Sequence, residues 1–305
     1  MTFTDTRKLT LNGQPLPDER IGSLTEADAS GDLFAQLARD GYLLLRGAHD
    51  ATEVDTARLE ALYRLAEVGE VAEPTEDGIA SGRSHRRDIY PNTVELGAFW
   101  QSVSEGPALR AVINGPRIAK IMDRLFGEKS QHFSFAWLRA MTAGRASPLH
   151  VDHPYMNRGS KRLVTCWTPL CDISLADGPL YILEGSHRWD DIRRQFEGHD
   201  VDQDTTRPGH IEESAIALAQ RKNSRFLTTE FKPGDCLVFG MFTAHGSFDN
   251  ASQTGRIRLS CDTRFQPAAD PMDHRFSGSS PTAHNGLGYG CLSAALPMTE
   301  TGKLR

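Results

Sequence analysis

The stretch "RIRLSCDTRF", residues 256 to 265, alternates without a break. Arg256, Arg258, Ser260, Asp262 and Arg264 are polar or charged, and Ile257, Leu259, Cys261, Thr263 and Phe265 fall between them. A period of two is that of a β-strand, whose successive side chains leave opposite faces of a sheet, and a helix cannot hold it. The chain must therefore build a sheet around this strand, apolar on one face and polar on the other. The polar face reads two ways. It is the wet side of a half-solvated edge strand, or it lines a polar barrel mouth where an arginine grips a carboxylate through a two-pronged hydrogen bond.

From residue 130 onward the neighbouring runs are also β-like: "QHFSFAWLRAMT", "RLVTCWTPL", "PLYILEG" and "DCLVFG". Turn chemistry separates them, at "ADG" (176 to 178) and "KPGD" (232 to 235). Short strands with such turns predict a jelly roll or sandwich rather than a βαβ fold. The first third of the chain reads as helical. In "LTEADASGDLFAQLARDGYLLLRG", Thr25 and Asp28 form a cap, Leu33, Phe34 and Leu37 an apolar face, and Gly41 a stop. "YLLLRG" then reads as a short buried strand. A second helix is expected near 53 to 68, with Leu59, Leu62, Tyr63 and Ala66 on one stripe. A third is expected from Pro116, burying Ile118, Ile121, Met122 and Leu125 and stopping at Gly127.

The expected fold class is α+β with a mainly β core, a jelly roll flanked by N-terminal helices. No linker divides the chain, so residues 1–305 read as a single domain. Within it, about 1–128 form a helical flank with the first strands, about 129–265 the jelly-roll core, and about 266–305 an irregular C-terminal wrap over the surface. Two long charged segments, 69–95 and 188–225, fit no sheet and are expected to act as lids, the second as an insertion in the core.

A net charge of −6 argues against a nucleic-acid groove, which needs a concentrated basic face. The basic run "RSHRRD" (83 to 88) reads as a solvated loop. No stretch approaches the roughly 20 apolar residues of a membrane span. "MTFTDTRKLTLNGQPLPDER" lacks the apolar core of a signal peptide, and the final "TGKLR" is not a peroxisomal address. The five cysteines (166, 171, 236, 261, 291) contain no C-x-x-C pair, so they read as reduced core thiols and the cytoplasm as the expected location. Dinucleotide, P-loop, nucleophile-elbow and H-E-x-x-H motifs are absent. The expected partner is a small-molecule substrate, with no nucleic acid and no membrane.

Chemistry concentrates in "PLHVDHPYM", residues 148 to 156. On a strand, His150 and Asp152 project from one face with Cα atoms about 6 to 7 Å apart. From there they can converge on one ion at about 2.0 to 2.2 Å. His245, at the end of the apolar run in "GDCLVFGMFTAHGSFDN", is the best third ligand. Two histidines and one carboxylate make the facial triad of non-haem iron(II) oxygenases. A lone H-x-D is equally the product of a solvated loop. His153 would point to the opposite strand face, and His187 and His132 are expected to be structural. Ser247 follows His245 by two residues, shares its face, and can offer a hydroxyl to the carboxylate that the arginine grips.

Taken in order, "PLHVDHPYM", "TCWTPLCDISLADGPLYILEGSHR", "PGDCLVFGMFTAHGS" and "GRIRLSC" resemble the phytanoyl-CoA dioxygenase family of iron(II)- and 2-oxoglutarate-dependent oxygenases. "DGYLLLRG" is a weaker echo, and together these motifs cover most of residues 40 to 265. The resemblance implies a double-stranded β-helix and iron ligands His150, Asp152 and His245. It implies that Arg256 pairs with the far carboxylate of 2-oxoglutarate, assisted by Ser247, with Arg258 on the same face as the alternative. Trp167 matches a tryptophan lining the cosubstrate pocket, although it also reads as a core aromatic. Fe(2+), 2-oxoglutarate and O2 are the implied cofactor and cosubstrates, and succinate and carbon dioxide the implied co-products. Halogenating relatives lack the carboxylate, so Asp152 implies hydroxylation, desaturation or cyclisation instead. Trp137 and Arg139, on candidate pocket strands, are expected substrate contacts. With no strongly basic groove for coenzyme A, a small biosynthetic or natural-product intermediate is the expected substrate. Two rivals predict different residues. A cupin-like metalloenzyme of another class needs a histidine where Asp152 stands, and a non-catalytic binding module derived from an oxygenase should have lost a ligand or the arginine.

Overall fold

The computed structural model describes residues 9–300. The first eight residues and "TGKLR", read above for targeting signals, lie outside the described residues. The described chain opens with β1 (Thr10–Leu11) and β2 (Gln14–Pro15), joined at Asn12 and Gly13, whose φ angles of 52° and 76° are those of a tight Asn-Gly hairpin turn. Next come β3 (Ile21–Ser23), α1 (Leu33–Asp40), β4 (Tyr42–Leu45) and α2 (Ala51–Ala66). Four helices follow: α3 (Arg86–Ile89), α4 (Thr93–Ser104), α5 (Pro107–Ile113) and α6 (Pro116–Phe126). The chain then turns to strands with β5 (Ser130–His132), β6 (Trp137–Met141), β7 (Val164–Pro169) and β8 (Leu180–Leu183). After α7 (Asp190–Phe196) and α8 (Ala215–Arg221) come β9 (Phe226–Thr228), β10 (Cys236–Gly240), β11 (His245–Ser247) and β12 (Arg258–Pro267).

The larger sheet runs β4-β10-β7-β12-β5, with β6 also paired to β12, and the smaller runs β11-β8-β9-β3. After β7 the chain passes repeatedly between the two sheets: β8 and β9 in the smaller, β10 in the larger, β11 in the smaller, β12 in the larger. This is the α+β architecture with a jelly-roll core. One sheet face is covered by helices. Leu33 of α1 and Ile118, Met122 and Leu125 of α6 pack on Leu43, Leu45, Cys166, Val238 and Phe265.

Local signals explain the helices, with shifts from the sequence reading. Asp32, not Thr25 or Asp28, caps α1 by accepting from the Ala35 N–H at 2.9 Å, and Gly41 (φ 80°) ends it as expected. Leu33 is buried while Phe34 is 65% exposed. Asp50 caps α2, whose buried face is Val54, Ala57, Ala61, Leu62 and Leu65. The small alanines let α2 approach its neighbours on that side, which rotates the stripe and leaves Tyr63 exposed. In α6 the proline start, the buried residues and the left-handed Gly127 (φ 68°) match the pattern, except that Ile121 is only partly buried.

Two segments depart from expectation. The C-terminal stretch is not a surface wrap. Phe276, Ala283, Tyr289, Ala295 and Met298 enter the main hydrophobic cluster, and Tyr289 stacks on Phe135 with ring centroids 4.1 Å apart. Burying each large side chain contributes roughly 1.5 to 3 kcal/mol. The segment 69–95 lines neither cavity described below. Its basic run is mostly exposed, as expected, but Arg86 is fully buried and ion-paired with Glu70. The same guanidinium donates to the carbonyls of Ala294, Ala295 and Leu296 at 2.7 to 2.9 Å, which clamps the tail in place. All five cysteines are free thiols, four of them buried. No helix among the described residues is long and apolar enough to cross a membrane.

Candidate metal centre

Strand β12 is buried along its whole length between β7 on one side and β5 and β6 on the other. Its polar face therefore looks into the barrel, and the edge-strand reading falls. Register fixes what shares that face. Asp262 lies opposite both Trp137 and Trp167, Ser260 opposite Arg139, Arg258 opposite Met141, and Arg264 opposite Thr165.

His150 and His245 face each other across an antiparallel bridge and exchange backbone hydrogen bonds of 2.9 and 3.0 Å. Their rings lie 4.2 Å apart. The apolar run expected to end at His245 ends instead at Gly240, and after a turn His245 opens β11 in the other sheet. Gly246 is required here, because a Cβ would come 2.7 Å from the Tyr181 hydroxyl. Asp152 does not share a strand with His150. It sits at the start of a 3-10 turn (His153–Tyr155) with helical φ/ψ of −78° and −20°, so the turn rather than strand alternation brings its carboxylate round.

The three side chains nonetheless converge, with ligand atoms of His150, Asp152 and His245 all within 4.8 Å of one another. His150 Nδ1 donates to the Pro148 carbonyl at 2.8 Å and His245 Nδ1 to the Thr243 carbonyl at 2.9 Å. A carbonyl can only accept, so in each neutral ring the proton is on Nδ1 and the lone pair on Nε2. Those Nε2 atoms face Asp152 Oδ1 at 3.5 and 3.9 Å. Asp152 Oδ2 is already engaged, by the Thr165 hydroxyl and by Arg264 Nη2 at 3.1 Å. Burial alone would raise the pKa of Asp152, but Arg264 and then the two histidines hold it well below the usual carboxylate range. Burial, reinforced by His150, lowers His245 to about 4 and keeps it neutral. Two imidazole Nε2 atoms and one free carboxylate oxygen in one cluster fit a divalent iron ion.

A small inner pocket joins this cluster to Trp167, Leu180, Ser247, Arg258, Arg139 and Asp262. Ser247 accepts from the Ser147 N–H at 2.7 Å. Arg258 is buried, bonded through Nη1 to the Gly178 carbonyl, and its Nε is buried with no partner. An unpartnered buried guanidinium N–H is costly, and a carboxylate would satisfy it. The structure does not bring Arg256 to this pocket. Regular strand begins only at Arg258, and Arg256 precedes it in an isolated bridge with Ile79, paired with Asp177 at 2.9 Å.

Among the other candidates, Arg139 enters the pocket paired with Asp262 at 2.9 Å, whereas Trp137 lines neither cavity and instead supports the Arg264 guanidinium 4.6 Å from its ring. His153 stacks on Phe242, and His132 and His187 lie outside both cavities. Thr165 and Arg264 had no role assigned from sequence. Arg264 was visible in the alternation, but Thr165 gains its role only through the β7–β12 register. Through Arg139, Ser147 and Ser247 the inner pocket opens into a groove of about 1180 Å³, walled partly by His210 to Ile216 from the 188–225 segment.

A model of the phytanoyl-CoA dioxygenase (PhyH) family matches residues 37–258, more than half of the chain. An ectoine dioxygenase from Bordetella parapertussis is 26% identical over 245 residues, covering 76% of this chain and 75% of that protein. Among solved structures, the apo form of EctD from S. alaskensis aligns with a TM-score of 0.52 at 21% identity, over 87% of each chain. SnoK, a non-haem alpha-ketoglutarate-dependent carbocyclase from nogalamycin biosynthesis, aligns with a TM-score of 0.53 at 18% identity, over 82% of this chain and 89% of its own. The two structural likenesses carry the fold and the family match carries the assignment: this chain belongs to the phytanoyl-CoA dioxygenase family and is an iron(II)- and 2-oxoglutarate-dependent dioxygenase.

Proposed function

We propose that His150 Nε2, Asp152 Oδ1 and His245 Nε2 hold the ferrous ion, and that Arg258, assisted by Ser247, anchors the far carboxylate of 2-oxoglutarate. The enzyme then oxidises a C–H bond of a small biosynthetic intermediate admitted through the groove. The observation that carries this reading is the convergence of three ligand atoms whose neighbouring atoms are already committed to other partners. Iron bound there supplies the coupling of 2-oxoglutarate decarboxylation by dioxygen to removal of hydrogen from the substrate.

The chain's own residues do the rest. The Pro148 and Thr243 carbonyls fix both imidazole tautomers, and Thr165 and Arg264 keep Asp152 ionised and aimed. The inner pocket is about 20 Å³, close to the minimum for a single water. The cosubstrate therefore takes its room from a side chain that moves.

The carboxylate at position 152 fills the place that halogenating relatives leave to chloride, so the outcome is hydroxylation, desaturation or ring closure. A dioxygenase of ectoine and a carbocyclase are both similar to this chain, and either outcome suits the site. Buried reduced thiols suit a cytoplasmic enzyme. The test is a titration of 2-oxoglutarate into the protein with and without Mn(II), followed by succinate release with Fe(II), ascorbate and air. Metal-dependent binding is expected in the wild type and weakened by about 10- to 150-fold in Arg258→Ala. Binding that ignores the metal would overturn the reading.

A further inference from the structure

The groove beyond the metal pocket is larger than most small-ligand sites, which run to about 300 to 1,000 Å³, at about 1180 Å³. Its walls include Leu11, Met141, Leu149, Ile211 and Ile216, which favour an apolar body. The charges along it are mostly spoken for. Arg139 is paired with Asp262 at 2.9 Å and Glu213 with Arg221 at 2.6 Å. Asp249 accepts from the Thr10 hydroxyl and from the Asn12 and Gly13 N–H groups of the β1–β2 hairpin at 2.7 to 3.0 Å. Glu212 is exposed to solvent.

Arg145 differs. It is half-buried, and its Nη2 donates only to main-chain carbonyls of the tail, Met298 at 2.7 Å and Glu300. No carboxylate lies within ion-pair distance of it among the described residues, and Glu70, which acts on it from farther off, is itself paired with Arg86, so Arg145 carries the least compensated charge in the wall. It stands two residues before Ser147, one of the residues shared with the inner pocket, which places it at most about 7 Å along the chain from that junction.

The geometry points to a substrate with an elongated, mainly apolar body and one anionic group, a carboxylate or a phosphate, which Arg145 binds while the other end reaches the metal centre. One unpaired cation matches one such group and offers no cluster for a polyanionic carrier. This assignment rests on the oxygenase reading above and names its substrate class.

The test uses full-length protein loaded anaerobically with Mn(II) and 2-oxoglutarate, so that the inner pocket is filled before any probe is added. Octanoate, octyl phosphate and neutral octanamide are titrated calorimetrically. Wild type is expected to bind one or both anionic probes at least about 10-fold tighter than the amide, the range of a charge-assisted hydrogen bond. The comparison of octanoate with octyl phosphate identifies the anion. Arg145→Gln should bring anion and amide within about twofold of each other, and Arg145→Lys should keep a clear preference for the anion. Glu300→Gln, which removes the side-chain pair with Arg87 and keeps the Glu300 carbonyl that Arg145 Nη2 meets, should leave the preference intact. Equal affinities in wild type overturn the proposal, as does a preference that survives Arg145→Gln or vanishes equally in Arg145→Lys and Glu300→Gln. The 2-oxoglutarate titration that precedes each run separates the two readings. Wild type that fails to bind 2-oxoglutarate indicts the oxygenase site, whereas bound 2-oxoglutarate without anion preference indicts Arg145 alone.

Discussion

The inner pocket and the outer groove are built on opposite principles. In the pocket, strands of both sheets deliver buried side chains whose partners are fixed by register: His245 from β11, Thr165 from β7, Arg258 and Arg264 from β12. The groove shares Arg139 to Met141, Tyr181 and Ser247 with the sheets, and the rest of it is assembled from the β1–β2 hairpin, the loop before His150, the stretch leading into α8, the loop after β11 and the C-terminal tail. Sheet register positions a group tightly, and loops vary without disturbing it. The difference assigns reaction type to the strands and substrate choice to the loops, and it makes the two regions separable by mutation.

The largest expected effect tests the pocket. His150→Ala and His245→Ala should each weaken iron retention by more than about 100-fold, because removing even an outer partner of a ligand costs about 10- to 100-fold. Metal content after desalting reads this, and octanoate binding in the groove should be unaffected. Arg86→Ala probes the opposite region. Breaking the buried pair with Glu70 should cost roughly 3 to 5 kcal/mol, measured by urea unfolding. The folded fraction should retain its metal affinity, since this pair holds the tail rather than the pocket.

Arg258→Ala should raise the half-saturating concentration of 2-oxoglutarate by about 10- to 150-fold. Thr165→Val removes one hydrogen bond from Asp152 and should weaken metal binding by about 10-fold, the low end of the range for such partners. The smallest effect is expected at Arg256, whose ion pair with Asp177 is partly exposed. Its alanine variant should leave the 2-oxoglutarate requirement within about twofold of wild type. A large rise there, with none at Arg258, would return the anchoring role to Arg256.

What could be read from the sequence follows the same division. The chemistry of His150, Asp152 and His245 was legible because their identities and short local context carry it. The alternation through Arg264 announced the strand whose polar face lines the pocket. The choice between Arg256 and Arg258 was not legible, since it depends on where regular pairing with Met141 begins. Asp152 reached its position by a turn that a strand pattern conceals. Thr165 gains its role only when β7 lies beside β12, residues about a hundred apart in the chain. The tail was misread because Phe276, Tyr289 and Ala295 are spaced by glycine, proline and serine with no periodicity, and burial there is decided by tertiary packing alone.

The account stands on one metal ion shared by three side chains, and anomalous scattering from a Mn(II)-soaked crystal tests it most directly. A single peak bonded to His150 Nε2, Asp152 Oδ1 and His245 Nε2 is the predicted result. A catalytically competent crystal with its peak elsewhere, or with no peak between these residues, would contradict it.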